Sequence, residues 1–185
     1  MALLEDLMHE HFVDYASYFI LDRAIPDIRD GLKPVQRRLL HTLFNIEDGR
    51  YHKVANTIGE TMKLHPHGDA SIADALVVLA NKGYFIDGQG NFGNILTGHP
   101  AAASRYIECR LTSLALETLF FRPLTEFVPS YDGRSEEPVF LPAKLPVALM
   151  LGTEGIAVGL ATKILPHNLP ELWEAQIDLL NGKSI

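Results

Sequence analysis

The chain has 185 residues, 16 of them basic and 23 acidic, for a formal charge of −7. Hydrophobic residues make up 47 % and charged residues 21 %, which excludes a disordered polyelectrolyte and predicts one folded domain, or one plus part of another. No window approaches the ~18 unbroken apolar residues of a membrane span, and the single Cys excludes a disulfide framework and a Cys-based zinc site.

Residues 1–21 are predicted as a helix, because Leu3, Leu4, Leu7, Phe12, Tyr15, Phe19 and Ile20 recur at three- and four-residue spacing. Its first ten residues are acidic and lack Lys and Arg, so no signal or transit peptide is expected and a reducing, cytoplasmic setting follows. Pro26 ends this helix or turns the chain. Pro34 opens a second helix, where its missing N–H costs nothing. Val35, Leu39, Leu40, Leu43 and Phe44 form that helix's apolar face, and Asp48-Gly49 closes it. A short third helix covers about 53–62. Pro66 and Gly68 make a turn. Asp69 then reads as the N-cap of a fourth helix over 70–81, with Ile72, Ala75, Leu76 and Leu79 inward and Gly83 at its end.

The pattern then changes. The turn string Asp87–Gly93 within 84–110 predicts a β-ribbon or ordered loop. A helix follows at about 111–120. Residues 126–164 read as β, with a turn at Tyr131–Arg134 and the apolar runs Val147–Leu151 and Ile156–Leu160. A last helix starts after Pro170 and runs to about Leu180, before Asn181-Gly182. Short helices followed by a ribbon predict an α+β fold and resemble a helix-turn-helix with a wing, an architecture that reads DNA.

The overall negative charge argues against a nucleic-acid partner, but its distribution does not. Residues 23–67 hold eight basic residues (Arg23, Arg29, Lys33, Arg37, Arg38, Arg50, Lys53, Lys63) against five acids, a local balance of +3. Exposed charges are screened over about 8–10 Å, so phosphate contact depends on such local cations. Scattered Arg and Lys on a solvated face would give the same count.

Three strings carry candidate chemistry. In His65-Pro66-His67-Gly68-Asp69, two His and an acid could begin a metal site, though no second ligand pair stands elsewhere, and a tight turn ahead of a helix also offers N–H groups and imidazoles to an anion. A capped Pro-Gly turn with surface His is the plain alternative. In Ser104-Arg105-Tyr106, a guanidinium lies beside a phenol, a group that is a poor nucleophile at neutral pH without help. That Arg can favour phenolate and hold a phosphate oxygen. A packed Tyr beside a surface Arg fits the same dipeptide. In Gly155–Thr162 the glycine spacing does not match a dinucleotide fingerprint. The segment fits a buried strand, or else Ile156 serves as an apolar wedge between base pairs. Cys109 reads as an inert buried thiol and Trp173 as packing.

Five strings occur in one order: Arg29–Arg38, His65–Asp69, Asp87–Gly93, Ala101–Leu111, and Gly155–Thr162 with Pro166–Leu169. Together they resemble the A subunits of the bacterial type IIA topoisomerases, DNA gyrase and topoisomerase IV. The resemblance runs from about residue 12 to the C-terminus. It implies a helical arm at 1–21, a winged-helix DNA-cleavage domain at 22–143 and the β-rich start of a tower domain at 144–185. It places Tyr106 on the family's nucleophile, which forms a 5′-phosphotyrosyl link, and Arg105 on the arginine that stabilises the transition state. Arg23, Lys33, Arg37, Arg38, His65 and His67 fall on DNA-contacting positions, and Ile156 on the intercalating isoleucine.

The resemblance also implies the partners: double-stranded DNA, a second copy of the A subunit, and a B subunit that carries ATP and Mg²⁺. Neither cofactor is expected on this chain, which lacks GxxxxGK[ST] and an acidic cluster suited to Mg²⁺. A nucleoid-associated cytoplasmic location is expected. The family's A subunits are much longer, so the chain is expected to be an N-terminal portion, incomplete for strand passage by itself. Gln36 stands where gyrases commonly carry His and leans toward topoisomerase IV. Asn56 stands where Arg is common. Ala70 replaces the usual Ser, while Asp74 keeps the acid of the family's quinolone water–metal bridge, so weakened quinolone action is expected. Two other readings stay open: a non-catalytic winged-helix DNA-binding protein, and a metal-dependent hydrolase built on His65, His67 and Asp69.

Overall fold

The computed structural model describes residues 2–184, with the side chains of 2, 3 and 10 outside the described set. The part expected of Leu3, and the outermost residues of the expected spans 1–21 and 144–185, lie outside the described residues. The chain divides into two compact units, Met1–Pro34 with Leu145–Ile185, and Val35–Lys144.

In the first unit, α1 (Ala2–Phe19) runs into a π-helical turn at Ile20–Ala24, closed by the Ile25 N–H donating to the Ile20 carbonyl. The periodicity located this helix, but Leu4, Met8, Phe12 and Tyr15 are all exposed. A tight loop then carries the start of the Arg29–Arg38 string, whose Pro34–Arg38 already lie in a helix. Asp27 Oδ1 accepts from the Arg29 N–H, Asp30 Oδ1 accepts from the Leu32 N–H, and the Gly31 N–H donates to the Asp27 carbonyl. Gly31 has φ +65°, and a Cβ there would overlap the Ala148 backbone. Only glycine satisfies both constraints without strain.

Further along this unit come α6 (Val147–Leu151), the antiparallel hairpin of β6 (Thr153–Ile156) and β7 (Ala161–Ile164), and α7 (Leu169–Leu180). Asn168 caps α7 by accepting from the Glu171 N–H, and Pro170 occupies the first turn.

The second unit is built on α2 (Pro34–Asn45), α3 (Val54–Thr61) and α4 (Asp69–Lys82). Leu39, Leu40 and Leu43 of α2, Val54 of α3, and Ile72, Leu76 and Leu79 of α4 are buried, at the spacings expected of amphipathic helices. A three-stranded antiparallel sheet has the order β1 (His52–Lys53), β3 (Glu108–Leu111), β2 (Ile86–Gln89). In the central strand Cys109 and Leu111 face inward and Glu108 and Arg110 outward, the two-residue period of a half-buried strand. Thr112 caps α5 (Ser113–Thr118), and β4 (Phe127–Pro129) pairs with β5 (Glu136–Pro138) across the Tyr131–Arg134 turn. The mixed helix and antiparallel sheet content fits the α+β class.

Four local expectations are corrected. Val147–Leu151 is a helix rather than a strand; a five-residue apolar run has no decisive period, and Pro146 and positive-φ Gly152 bound it as helix start and stop. Ile156–Leu160 is not a strand: β6 ends at Ile156 and the chain turns before β7. The N-cap of α4 is Gly68, and Asp69 is the first helical residue, where its charge faces the positive end of the helix dipole. Trp173 is half-exposed rather than packed.

Candidate nucleic-acid interface

Tyr106 lies in the turn that feeds β3. The Tyr106 N–H donates to the Ala103 carbonyl at 2.9 Å. The start of α3 holds this turn from the other side: the Val54 N–H donates to the Ile107 carbonyl at 3.0 Å and the Ala55 N–H to the Ser104 carbonyl at 3.1 Å. Two otherwise orphaned N–H groups of a helix start thus anchor the loop. Ile107 is buried immediately after it, and Lys53 pairs with Glu108 at 2.7 Å. The loop is fixed, yet the Tyr106 side chain is 66 % exposed. Arg105 is also exposed, with its guanidinium carbon 4.6 Å from the centroid of the Tyr106 ring. The packed-tyrosine alternative does not fit this geometry.

A cleft of about 420 Å³ runs beside the loop, between α4 and the 91–104 segment, and includes Asp74, Asn94, Ala102 and Ser104 in its lining. Ala70 and Asp74 are both exposed on α4, one helical turn apart.

The His65–Asp69 turn joins α3 to α4. Its two imidazoles stack with centroids 4.5 Å apart, and His65 is buried, so the expectation of surface His is wrong for that residue. Arg38 reaches His65: its Nη1 lies 3.0 Å from His65 Nδ1, while its Nη2 donates to Glu137 Oε1 at 2.8 Å and its Nε to Oε2. Arg37 is buried one residue earlier on α2. Among the described residues no group of three or more His, Cys, Asp and Glu side chains gathers as a metal site, and His65, His67 and Asp69 do not form one.

Arg23, Lys33 and Ile156 belong to the other unit. Within it, Lys33 Nζ donates to the Glu154 carbonyl at 2.7 Å, two residues before Ile156. Partial burial lowers the Lys33 pKa, and Glu154 partly offsets this. Gly155 packs its backbone on the Ala24 carbonyl, where a Cβ would overlap. The hairpin is thereby held from two directions while Ile156 stands 79 % exposed at the end of β6. A buried core strand is excluded by that exposure. Arg23 is exposed on the π-helical turn, its guanidinium over the Phe19 ring.

The local excess of basic charge is less available than the count suggests. Arg29 pairs with Asp27, Arg38 with Glu137, Lys53 with Glu108 and Lys63 with Glu60. Sequence reading missed Glu137 and Glu154 as neighbours of the basic residues. Their partners lie 99 and 121 positions away, and neither carries a motif. It also missed the group in which the Tyr51 hydroxyl donates to Asp87 at 2.6 Å and Arg110 donates to the same carboxylate, bracing the sheet edge.

Comparison with known proteins adds an independent line. A family model for the A subunit of DNA gyrase/topoisomerase IV matches residues 23–185. The chain is 56 % identical to the A subunit of DNA topoisomerase 4 from Borreliella burgdorferi over 181 residues, covering 98 % of this chain and 29 % of that protein. It is 48 % identical to the DNA gyrase A subunit of Dehalogenimonas lykanthroporepellens and 47 % identical to that of Mycobacterium tuberculosis. Each of those two matches covers 93 % of this chain and 22 % of the relative. The chain therefore spans between a fifth and a third of the length of these relatives.

Proposed function

Since the chain belongs to the DNA gyrase/topoisomerase IV A-subunit family, we propose that it is the strand-breaking portion of a type IIA topoisomerase, with Tyr106 as the nucleophile. One observation carries this: a tyrosine anchored by backbone hydrogen bonds on both sides of its loop, with an exposed phenol and a guanidinium lying on its ring. A residue kept for packing would be covered. A nucleophile must be both fixed and reachable.

In the proposed reaction the Tyr106 phenolic oxygen attacks a backbone phosphorus. The bond to the 3′ oxygen breaks, a tyrosyl ester to the 5′ phosphate forms, and the phenolic proton passes to solvent or a neighbouring base while the 3′ oxygen gains one. One phosphoester replaces another, so resealing is the reverse step and requires no energy input. Charge grows on the non-bridging phosphate oxygens, where Arg105 supplies a neighbouring cation.

Around this step, Arg23, Lys33, Arg37, Arg38, His65 and His67 are proposed to line the DNA segment, and Ile156 to enter the base stack and bend it. The exposure of Ile156 on a braced hairpin suits a wedge. The α2–α4 helices with β2, β3 and the β4–β5 hairpin are read as a winged-helix cleavage domain over 22–143, and 144–185 as the start of a tower domain, after an arm at 1–21. Position 70, where Ala stands beside Asp74, is proposed to weaken quinolone action. A divalent metal and ATP are both assigned to a B subunit. A second copy of the A subunit would supply the matching break on the opposite strand. The protein is read as acting in the cytoplasm on the nucleoid. A non-catalytic DNA-binding role has no use for the Arg105–Tyr106 arrangement. The test is recovery of DNA covalently joined to protein from the full-length A subunit with its B partner, and mapping of the link to Tyr106.

A further inference from the structure

Glu137 has no place in the chemistry described so far, yet it organises part of the site. It lies on β5, and both its carboxylate oxygens hold the Arg38 guanidinium, Oε1 accepting from Nη2 at 2.8 Å and Oε2 from Nε. The two side chains are 18 % and 12 % exposed, so this is a shielded, two-pronged pair that fixes the plane of the guanidinium. The remaining terminal nitrogen, Nη1, then meets His65 Nδ1 at 3.0 Å.

This contact has only one chemical solution. A guanidinium has five N–H donors, no acceptor, and does not lose its proton in a protein. His65 Nδ1 must therefore be the accepting nitrogen. The ring is neutral, and its proton is on Nε2. A second proton on Nδ1 would point at a cation that Glu137 prevents from moving away. His65 is buried and stacked on His67, so its ring plane also sets the plane of its neighbour at the head of α4.

We infer that Glu137 is a positioning residue for strand cleavage: through Arg38 it locks His65 as the neutral Nε2–H tautomer and so holds the stacked His65–His67 pair in one arrangement. The inference rests on the cleavage reading given above. The carboxylate acts through Arg38, by its shape and charge. In Glu137→Gln the amide N–H₂ confronts one of the guanidinium N–H donors, the two-pronged grip fails, and Arg38 is released.

The test is a double-mutant cycle in the full-length A subunit with its B partner, Mg²⁺ and a suicide DNA substrate. Glu137→Gln lowers the single-turnover cleavage rate at saturating DNA about tenfold. In a His65→Ala background the same substitution has no further effect on rate, because the residue through which it acts is gone. Losses that add in the double mutant, or an unchanged rate in Glu137→Gln, overturn the inference. So does a loss of rate that disappears when DNA is saturating. Should Glu137→Gln not fold, Glu137→Asp, which keeps the charge on a shorter arm, is run through the same cycle with the same criteria. Absence of any covalent adduct in the wild-type enzyme sinks the cleavage reading itself and is distinct from failure of the cycle.

Discussion

The Arg105 guanidinium carbon lies 4.6 Å from the centre of the Tyr106 ring, and both side chains stand in solvent above a loop held by α3 and the turn before β3. Cation–ring contact at an exposed site is worth about 0.5–1 kcal/mol. That is enough to bias the two side chains to the same side of the loop, and too little to stop Arg105 from swinging onto a phosphate. Arg105→Ala is therefore expected to leave DNA binding nearly intact and to slow cleavage by about 10²–10³-fold, the scale of losing one preorganised charge stabiliser. Single-turnover cleavage at saturating DNA measures this, and a slowing of less than about threefold removes Arg105 from the mechanism.

Lys33 donates to the Glu154 carbonyl and thereby faces the strand that ends in Ile156. As the proposed DNA contact, a cation in that place would meet phosphate without reading bases. Lys33→Ala is expected to weaken binding about equally across DNA sequences and to lower the slope of log affinity against log salt by about one. A change confined to some sequences argues against a phosphate contact.

Gly31 combines a left-handed backbone with a site where a Cβ meets the Ala148 backbone. Gly31→Ala is expected to destabilise the fold by more than about 1 kcal/mol. The shift appears in the denaturant midpoint at constant slope. An unchanged midpoint means the loop relaxes more easily than its hydrogen bonds suggest.

Much of this was legible in the sequence because local rules govern it. Pro34 at the start of α2, Gly83 after α4, and Asn168-Leu169-Pro170 at the head of α7 mark boundaries through their own backbone chemistry. What was misread depends on neighbours far away in the chain. Val147–Leu151 is too short for a period to separate helix from strand. The exposure of Ile156 follows from a hairpin whose turn no residue before Gly159 announces. Glu137 meets Arg38 only because the β4–β5 hairpin folds back on α2. Arg105 and Tyr106 stood out as an adjacent pair, but their accessibility was not readable.

Cys109 lies at the centre of the sheet with its Sγ 3.7 Å from the Thr57 hydroxyl, and burial pushes its thiol pKa up to about 11. At pH 8 the thiolate fraction is then about 100-fold below that of a thiol at the ordinary value of 9.0. Alkylation of the native protein is expected to be slower than that of the urea-unfolded chain by at least this factor. The rate ratio of the two labelling reactions checks it, and equal rates would place Cys109 at the surface.

The most direct measurement concerns the phenolic oxygen itself. The full-length A subunit, its B partner and Mg²⁺ are incubated with labelled duplex, denatured, and examined for protein that retains label. The wild type is expected to carry DNA on Tyr106. Tyr106→Phe is expected to bind DNA within a few-fold of wild type and to carry none. Label retained at wild-type level by Tyr106→Phe would contradict the account, since the ester would then belong to another residue.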